Sequence, residues 1–313
     1  DLQVRFKTEH GVEDIWTNSK LYEMMIANEL GHKMIPGHSG TLDAADDHGN
    51  EFEYKHFKEK SSNHSWTFND FSDTTIAKLN KVKGVVFAHI DDTNSDPKFD
   101  WAFILEGPAV SKYLDTYTKS ITNNRRMINV SANQLETRVG AARTRFSDYA
   151  AGEGRYEKYL EEIFQLSRSL EAASGVRDVL TSNKFWEVLV SIPLGHQVNG
   201  EQGGRAGAHD AFDSAGKNYE YKVSKKPTWQ FQDISRNVLN KYYHCEDIVL
   251  AVVDKQSFKV EKIFAAKPEF VVPLLDHKLE QREQLAANKG TSLRRKQVTL
   301  NASDLVKIRA RRI

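Results

Sequence analysis

The sequence predicts a mixed α/β fold that occurs twice in one chain, because an internal repeat covers most of its 313 residues and each copy alternates helix and strand patterns. The repeat is clearest where "GVEDIWTNSKLYE" (11–23) aligns with "GVRDVLTSNKFWE" (175–187), with Gly, Val, Asp, Thr, Lys and Glu identical in place. Further pairs of blocks follow in the same order: "LGHK" (30–33) with "LGHQ" (194–197), "WTFNDFS" (66–72) with "WQFQDIS" (229–235), "GVVFAHID" (84–91) with "DIVLAVVD" (247–254), and "RRMINVSANQL" (125–135) with "RKQVTLNASDL" (295–305).

The matched blocks set the predicted domain boundaries. The first domain spans residues 1–140 and the second spans residues 175–313. The intervening segment, 141–174, is rich in Ala, Arg and Glu and has apolar residues at helical spacing. We therefore expect an ordered helical linker between two related domains.

Each copy begins with a predicted helix, a hairpin and a buried strand. Leu21, Met24 and Met25 recur at helical spacing, so the first helix carries Glu23, and its counterpart carries Glu187. A hairpin follows, because the polar turn residues "DHG" or "SAG" join two short strand patterns. The continuous apolar runs "GVVFAHI" and "DIVLAVV" are typical of a buried central strand.

The aromatic blocks predict a strand with two different faces. The residues expected in the core are Trp66, Phe68, Trp229 and Phe231. The opposite face carries amides, which can pair with adenine edges but are also common on exposed strands. The amides considered for DNA recognition are Asn69, Gln230 and Gln232. Asp70 and Asp233 are predicted to cap the helix that follows.

Composition restricts the class of protein. No apolar run approaches the roughly 18 residues of a membrane span, and the first residues do not resemble a secretory signal, so we expect a soluble protein. Cys245 is the only cysteine, which excludes an internal disulfide and fits a reducing cytoplasm. Neither copy has the Cys/His spacing of a zinc site. The formal charge of +1 excludes neither DNA nor acidic partners, because DNA binding depends on local basic surface.

An acidic stretch recurs at unchanged spacing, as "DAADDHGNEFEYK" (43–55) and "DAFDSAGKNYEYK" (210–222). If the hairpin turns are centred on His48 and Ala215, the first Asp of each stretch faces the Glu ten residues later. The Lys two residues beyond that Glu returns to the same face. The predicted clusters are Asp43, Glu53 and Lys55 in the first copy, and Asp210, Glu220 and Lys222 in the second.

These clusters point to hydrolysis of a phosphodiester. Two opposed carboxylates repel each other unless a cation offsets them, and Mg²⁺ combines one or two carboxylates with waters and a substrate phosphate. The adjacent Lys would hold or help deprotonate an attacking water, or stabilise charge on the phosphate. A lysine that only forms salt bridges with two surface acids is the structural alternative. Asp46 and Asp213 are expected to face away and are poorer candidates.

The pattern of Asp, Glu-x-Lys and a Glu on the preceding helix resembles the PD-(D/E)XK nuclease superfamily, which includes the type II restriction endonucleases. Leu42 and His209 stand where that family has the proline of its motif. The resemblance implies two tandem restriction-endonuclease-like domains, each with a mixed central sheet flanked by helices, that form a pseudo-dimer. It implies Mg²⁺, or Mn²⁺ in its place, bound by Asp43, Glu53, Asp210 and Glu220. Glu23 and Glu187 would be further metal ligands or outer-shell acids.

We therefore expect a Mg²⁺-dependent, sequence-specific double-stranded DNA endonuclease of restriction type. It would act as a monomer, with a cognate DNA methyltransferase acting on the same site. The alternatives are a non-specific or structure-specific nuclease or nickase in repair or defence, and a DNA-binding module without catalysis. Basic residues before a late strand are candidates for phosphate contacts, although a solvated charged face explains each one equally well. They are Arg125, Arg126, Arg295 and Lys296. His32 and His196 are expected to be structural.

Overall fold

The structure is a computed structural model, and it describes residues 1–16, 18–37, 42–69, 72–120, 127–145, 154–181, 184–200, 209–254, 256–291, 293 and 296–313. The chain divides into two compact units, Asp1–Ser169 and Leu170–Ile313. The division falls within a helix, Glu157–Ser174, that lies in the segment predicted as a linker. Among the described helices, none combines the length and the apolar character needed to cross a bilayer.

The first unit begins with two helices and then alternates strands and helices. Its helices are α1 (Leu2–His10), α2 (Asn18–Leu30), α3 (Asp73–Leu79), α4 (Gly107–Lys119), α5 (Ala132–Gln134), which continues as a π-helical turn (Leu135–Val139), and α6 (Glu157–Ser174), which extends past the division. Its strands are β1 (Lys33–Met34), β2 (Ala44–Ala45), β3 (Glu51–Lys58), β4 (Ser65–Phe68), β5 (Gly84–Asp91), β6 (Lys98–Glu106), β7 (Ile128–Ser131) and β8 (Thr144–Arg145).

The second unit follows a similar order of elements. Its helices are α7 (Phe185–Leu194), α8 (Arg236–Tyr242), α9 (Pro268–Asn288) and α10 (Asp304–Lys307). Its strands are β9 (Gln197–Val198), β10 (Ala211–Phe212), β11 (Asn218–Ser224), β12 (Thr228–Phe231), β13 (Asp247–Asp254), β14 (Lys259–Ala266), β15 (Val298–Asn301) and β16 (Arg311–Arg312).

Within the described residues, each unit holds a six-stranded sheet and a separate two-stranded sheet. The strand order is β1-β2-β3-β5-β6-β8 in the first six-stranded sheet and β9-β10-β11-β13-β14-β16 in the second. The third and fourth strands of each order are parallel, and the other neighbours are antiparallel. The predicted mixed α/β class, with sheets flanked by helices, is confirmed.

The apolar runs form buried strands in the middle of each sheet. All residues of β5 and β13 are buried except the last residue of each strand, Asp91 and Asp254, as expected for strands covered on both faces. Trp66 and Trp229 are also buried, as predicted. Their indole Nε1–H groups donate hydrogen bonds to the carbonyls of Ala88 (2.8 Å) and Ala251 (2.9 Å). Each small sheet is therefore attached to the central strand of its own unit.

The caps of the helices after these aromatic strands differ from the prediction. Ser72 and Ser235, not the preceding aspartates, are the N-cap residues of α3 and α8. The Ser235 hydroxyl accepts a hydrogen bond from the Val238 backbone N–H at 3.3 Å. Asp233 instead adopts a positive φ of 52°, two residues before the cap. Asp70 lies outside the described residues.

The segment predicted as a helical linker contains a strand as well as a helix. Thr144 and Arg145 form β8, which pairs with Ala102 and Trp101 at the edge of the first sheet. A two-residue strand has no periodicity of its own, so only its pairing with β6 identifies it. Helix α6 occupies the rest of the described linker from Glu157 onward.

Candidate active sites

The hairpin register of the first unit places Asp43 beside Glu53. Ala44 pairs with Phe52 in the antiparallel ladder, so the next position outward opposes Asp43 to Glu53. The Asp43 carboxylate (Oδ2) accepts a hydrogen bond of 2.7 Å from the backbone N–H of Tyr54. The main chain of β3 therefore fixes the orientation of this carboxylate.

The second unit repeats this geometry. Ala211 pairs with Tyr219, so the next pair outward opposes Asp210 to Glu220. The Asp210 carboxylate accepts a hydrogen bond of 2.8 Å from the backbone N–H of Tyr221. The two hairpins thus present an Asp and a Glu in the same relative position.

The lysine of each Glu-x-Lys pair lies on the same strand face as the glutamate, because alternate residues of a strand share a face. Lys55 Nζ is 2.6 Å from Glu53 Oε1, and Lys222 Nζ is 2.5 Å from Glu220 Oε1. Each ammonium group also donates to the carbonyl of the tyrosine between the two residues, at 3.1 and 3.2 Å. The two sites share an ammonium group held beside a carboxylate by side-chain and main-chain acceptors.

The glutamate on the preceding helix joins each site together with a buried lysine. Lys20 Nζ is 2.5 Å from Glu23 Oε2 on α2, and Lys184 Nζ is 2.7 Å from Glu187 Oε2 at the start of α7. Lys20 and Lys184 are only 6% and 5% exposed. These lysines are not among the site residues predicted from the sequence, although both stand at an identical position of the first repeat block.

The helix glutamates carry strongly perturbed carboxyl groups. Burial raises the pKa of Glu23 to about 7, and the nearby Asp43 carboxylate raises it further while Lys20 opposes the shift. Burial likewise raises the pKa of Glu187 to about 7, with a further contribution from Asp210. Burial and the Glu53 charge also raise the pKa of Asp43. Several acids therefore share a space in which full ionisation is unfavourable.

The hairpin glutamates differ between the two units. Burial acts to raise the pKa of Glu53, but the ammonium groups of Lys55 and Lys78 outweigh it, and the pKa lies below its ordinary value. For Glu220, burial prevails over the attraction of Lys222, and the pKa is raised. The pKa of Lys222 is itself raised, because attraction to Glu220 outweighs burial. The two sites have the same residues but different charge surroundings.

The residue before the site Asp also differs between the units. His209 Nδ1 lies 3.2 Å from the Cys245 thiol in the second unit. Burial raises the pKa of Cys245 to about 12, so its thiol is neutral and a poor nucleophile. In the first unit the position of His209 is taken by Leu42, which packs against a core cluster that contains Val82. Cys245 is therefore a buried, neutral thiol beside His209.

The chemistry of the acids fits a hard divalent cation. Among the described residues, no group of three or more His, Cys, Asp or Glu side chains is arranged to hold a metal ion. Mg²⁺, however, often uses only one or two carboxylates and completes its shell with water and phosphate. Asp43 with Glu53, and Asp210 with Glu220, are such pairs. A cation there would offset the repulsion that raises the pKa of Asp43.

Asp46 and Asp213 stabilise the turns of the two hairpins. Asp46 Oδ1 accepts hydrogen bonds from the backbone N–H groups of His48 (2.9 Å) and Asn50 (2.8 Å). Asp213 Oδ1 accepts equivalent bonds from Ala215 and Lys217, both 2.9 Å. These contacts give the two aspartates a local role in the turn.

The residues considered for DNA contacts are only partly described. Asn69, Gln230 and Gln232 are exposed, and Gln232 Nε2 donates to Gln230 Oε1 at 3.1 Å. Lys296 forms an ion pair with Glu283 at 3.1 Å. Three of the basic candidates lie outside the described residues, namely Arg125, Arg126 and Arg295.

The two predicted structural histidines make matching contacts. His32 Nδ1 lies 2.8 Å from the Tyr54 hydroxyl, and His196 Nδ1 lies 2.7 Å from the Tyr221 hydroxyl. Each tyrosine is the residue whose backbone N–H binds the site Asp. Each histidine therefore contacts the tyrosine that binds the site Asp, and it does not contact the Asp through these bonds.

The chain matches no protein-family model and no curated protein sequence.

Proposed function

We propose that the chain is a Mg²⁺-dependent double-stranded DNA endonuclease of restriction type, with two active sites that each hydrolyse a phosphodiester of one strand. The observation that carries this proposal is the recurrence of one arrangement in both units. In each, a backbone N–H orients an Asp, a Glu-x-Lys ion pair lies beside it, and a partly buried helix Glu completes the cluster. A chance salt bridge on a surface hairpin would not require this repetition.

The fold supports the same proposal. Each unit would be a PD-(D/E)XK nuclease-like domain, and the chain would be a duplicated domain that acts as a monomeric pseudo-dimer. The matching strand orders of the two six-stranded sheets are consistent with a duplication. Cutting both strands of a duplex needs two sites, which homodimers obtain by symmetry and a duplicated chain can supply alone.

The carboxylates and the lysine of each site would have different roles in hydrolysis. Asp43 and Glu53 would hold one Mg²⁺ ion, and Asp210 and Glu220 would hold another. Mn²⁺ could replace Mg²⁺ in either site. When bound, the cation would neutralise charge on the phosphate and lower the pKa of water. The ammonium group of the site lysine would stabilise negative charge that develops on the phosphate oxygens. In the second site, attraction to Glu220 outweighs burial and raises the pKa of Lys222, so charge stabilisation suits this lysine better than proton abstraction.

Recognition of DNA would involve the exposed amides and the basic residues. Asn69, Gln230 and Gln232 lie on or directly after the small aromatic strands, whose opposite face is fixed in the core by Trp66 and Trp229. Rigid strands of this kind can present amides to base edges. Arg125, Arg126, Arg295 and Lys296 would supply phosphate contacts. A DNA methyltransferase with the same recognition sequence would protect the host DNA.

The direct test is digestion of a sequenced, phage-sized DNA by the purified protein, with Mg²⁺ or with a chelator, followed by sequencing of the fragment ends. The proposal predicts discrete fragments whose ends share one sequence, and no cleavage with chelator. A smear without common ends would favour a non-specific or structure-specific nuclease. Intact DNA with both Mg²⁺ and Mn²⁺ would contradict the enzyme and favour a DNA-binding module.

A further inference from the structure

The two sites differ in how many ammonium groups hold the hairpin glutamate. In the first unit, Lys55 contacts Glu53 Oε1 at 2.6 Å, and Lys78 on α3 contacts Glu53 Oε2 at 2.9 Å. Both carboxylate oxygens of Glu53 therefore face a cationic group. In the second unit, Lys222 contacts Glu220 Oε1 at 2.5 Å, and it is the only ion-pair partner of Glu220 among the described residues.

The second unit has a lysine at the matching position but uses it differently. Lys78 lies twelve residues after Trp66, and Lys241 lies twelve residues after Trp229. Lys241 is exposed and forms no ion pair with Glu220 in the described part of the chain. The next residue, Tyr242, is buried, and its ring centroid lies 6.0 Å from Lys222 Nζ. In both sites a phenylalanine ring also lies near the lysine, Phe68 at 5.3 Å and Phe231 at 5.6 Å. The second site thus differs by the additional ring of Tyr242 and by one cation fewer at its glutamate.

On the premise of the proposed function, we propose that Lys78 is a positioning residue that competes with the divalent cation for Glu53, so that the first site takes up its cation less readily than the second. A carboxylate oxygen that already forms an ion pair with an ammonium group must give up that partner before it can coordinate a metal ion. Glu220 would have to release an ammonium group from one carboxylate oxygen, whereas Glu53 would have to release one from each of its two oxygens.

Apart from Lys78, the carboxyl and ammonium groups around the two glutamates match one for one, and the second site adds Tyr242 and Cys245, which carry no positive charge. The groups that face Glu53 and its site are Lys20, Glu23, Asp43, Lys55 and Lys78. Those that face Glu220 and its site are Lys184, Glu187, Asp210, Lys222, Tyr242 and Cys245. The cation balance of the sites therefore differs by the ammonium group of Lys78.

The test is Mn²⁺ binding to the metal-free protein without DNA, measured by electron paramagnetic resonance of free Mn²⁺. Wild-type protein should show two classes of site whose dissociation constants differ by roughly tenfold. Glu53→Gln should remove the weaker class and Glu220→Gln the tighter one. Lys78→Ala should lower the dissociation constant of the weaker class toward that of the tighter class. Lys78→Arg, which keeps the positive charge, should retain the wild-type difference between the two dissociation constants.

Lys241→Ala is the matched control, and it should leave both classes unchanged. Thermal unfolding of each variant, followed by circular dichroism, should show that the variants remain folded. Equal dissociation constants for the two sites of the wild type, or unchanged dissociation constants in Lys78→Ala, would overturn the inference. Neither result would contradict the proposed nuclease function. Absence of Mn²⁺ binding together with absence of DNA cleavage would instead overturn the proposed function.

Discussion

The Asp43 carboxylate accepts a hydrogen bond of 2.7 Å from the backbone N–H of Tyr54, and Asp210 stands in the same relation to Tyr221 at 2.8 Å. A main-chain donor cannot rotate away, so it holds one carboxylate oxygen and leaves the other for a ligand. The turn aspartates Asp46 and Asp213 also accept backbone N–H bonds, but from residues of their own turns, and both of their carboxylate oxygens accept hydrogen bonds.

Asp43→Asn should strongly slow cleavage of one DNA strand, because the amide keeps the shape of the side chain but loses the charge needed to bind a cation. The nicking rate at that site should fall on the order of a hundredfold or more, since even indirect partners of metal ligands contribute 10- to 100-fold. Strand-specific nicking of a labelled duplex measures the effect. Asp46→Ala is the control, and it should lower the urea midpoint of unfolding without loss of cleavage. Equal loss of cleavage in both variants would remove the distinction between site and turn.

Lys20→Met should destabilise the first unit by about 3 kcal/mol, because it leaves the buried Glu23 carboxylate without its ammonium partner. Replacing both partners, as Lys20→Met with Glu23→Gln, should recover most of the loss, since apolar or neutral replacements of a buried pair are often nearly neutral. Equilibrium urea unfolding of the single and double variants measures the coupling. A Lys20→Met protein as stable as the wild type would show that the ion pair is not structurally important.

Local patterns in the sequence were enough to predict that Asp43 and Glu53 oppose each other across the hairpin. Side chains alternate along a strand and the hairpin is symmetric about its turn, so the register of Asp43 and Glu53 follows from their numbers alone. The continuous apolar run of β5 likewise identified a buried central strand before its partners were known. The recurrence of each pattern in the second copy reduced the chance of coincidence.

Contacts between distant segments could not be predicted in this way. Lys78 reaches Glu53 because α3 packs near β3 in the folded unit, and nothing in the sequence around Lys78 indicates that contact. The edge strands β1 and β8 are too short to have a pattern, and their existence depends on pairing. Lys20 was visible as an identical residue of the repeat, but its burial was not, because lysine is usually exposed.

His56→Val should reduce the loss of stability on acidification. Burial, with smaller effects of Lys55 and Lys58, lowers the pKa of His56 from 6.5 to about 4. The unfolded chain therefore binds this proton more readily than the folded chain. The corresponding stabilisation is complete above about pH 6.5 and is lost as the pH falls toward about 4.

Val223, which follows the site lysine in the second unit as His56 does in the first, makes valine the natural replacement. Urea midpoints of wild type and His56→Val, measured from pH 7 to pH 4, should fall less steeply with decreasing pH for the variant than for the wild type. Parallel curves for the two proteins would contradict the assignment of this pH dependence to His56.

The most direct test of the central claim is cleavage of a supercoiled plasmid by Lys55→Ala, Lys222→Ala and the double variant, under Mg²⁺ and with the nicked strand identified by sequencing. If each unit cuts one strand, the wild type makes linear DNA and each single variant makes only nicked open circles. The strand nicked by Lys55→Ala is then the one that Lys222→Ala leaves intact. The double variant leaves the plasmid supercoiled. A single variant that still makes linear DNA, or two variants that nick the same strand, would contradict the account.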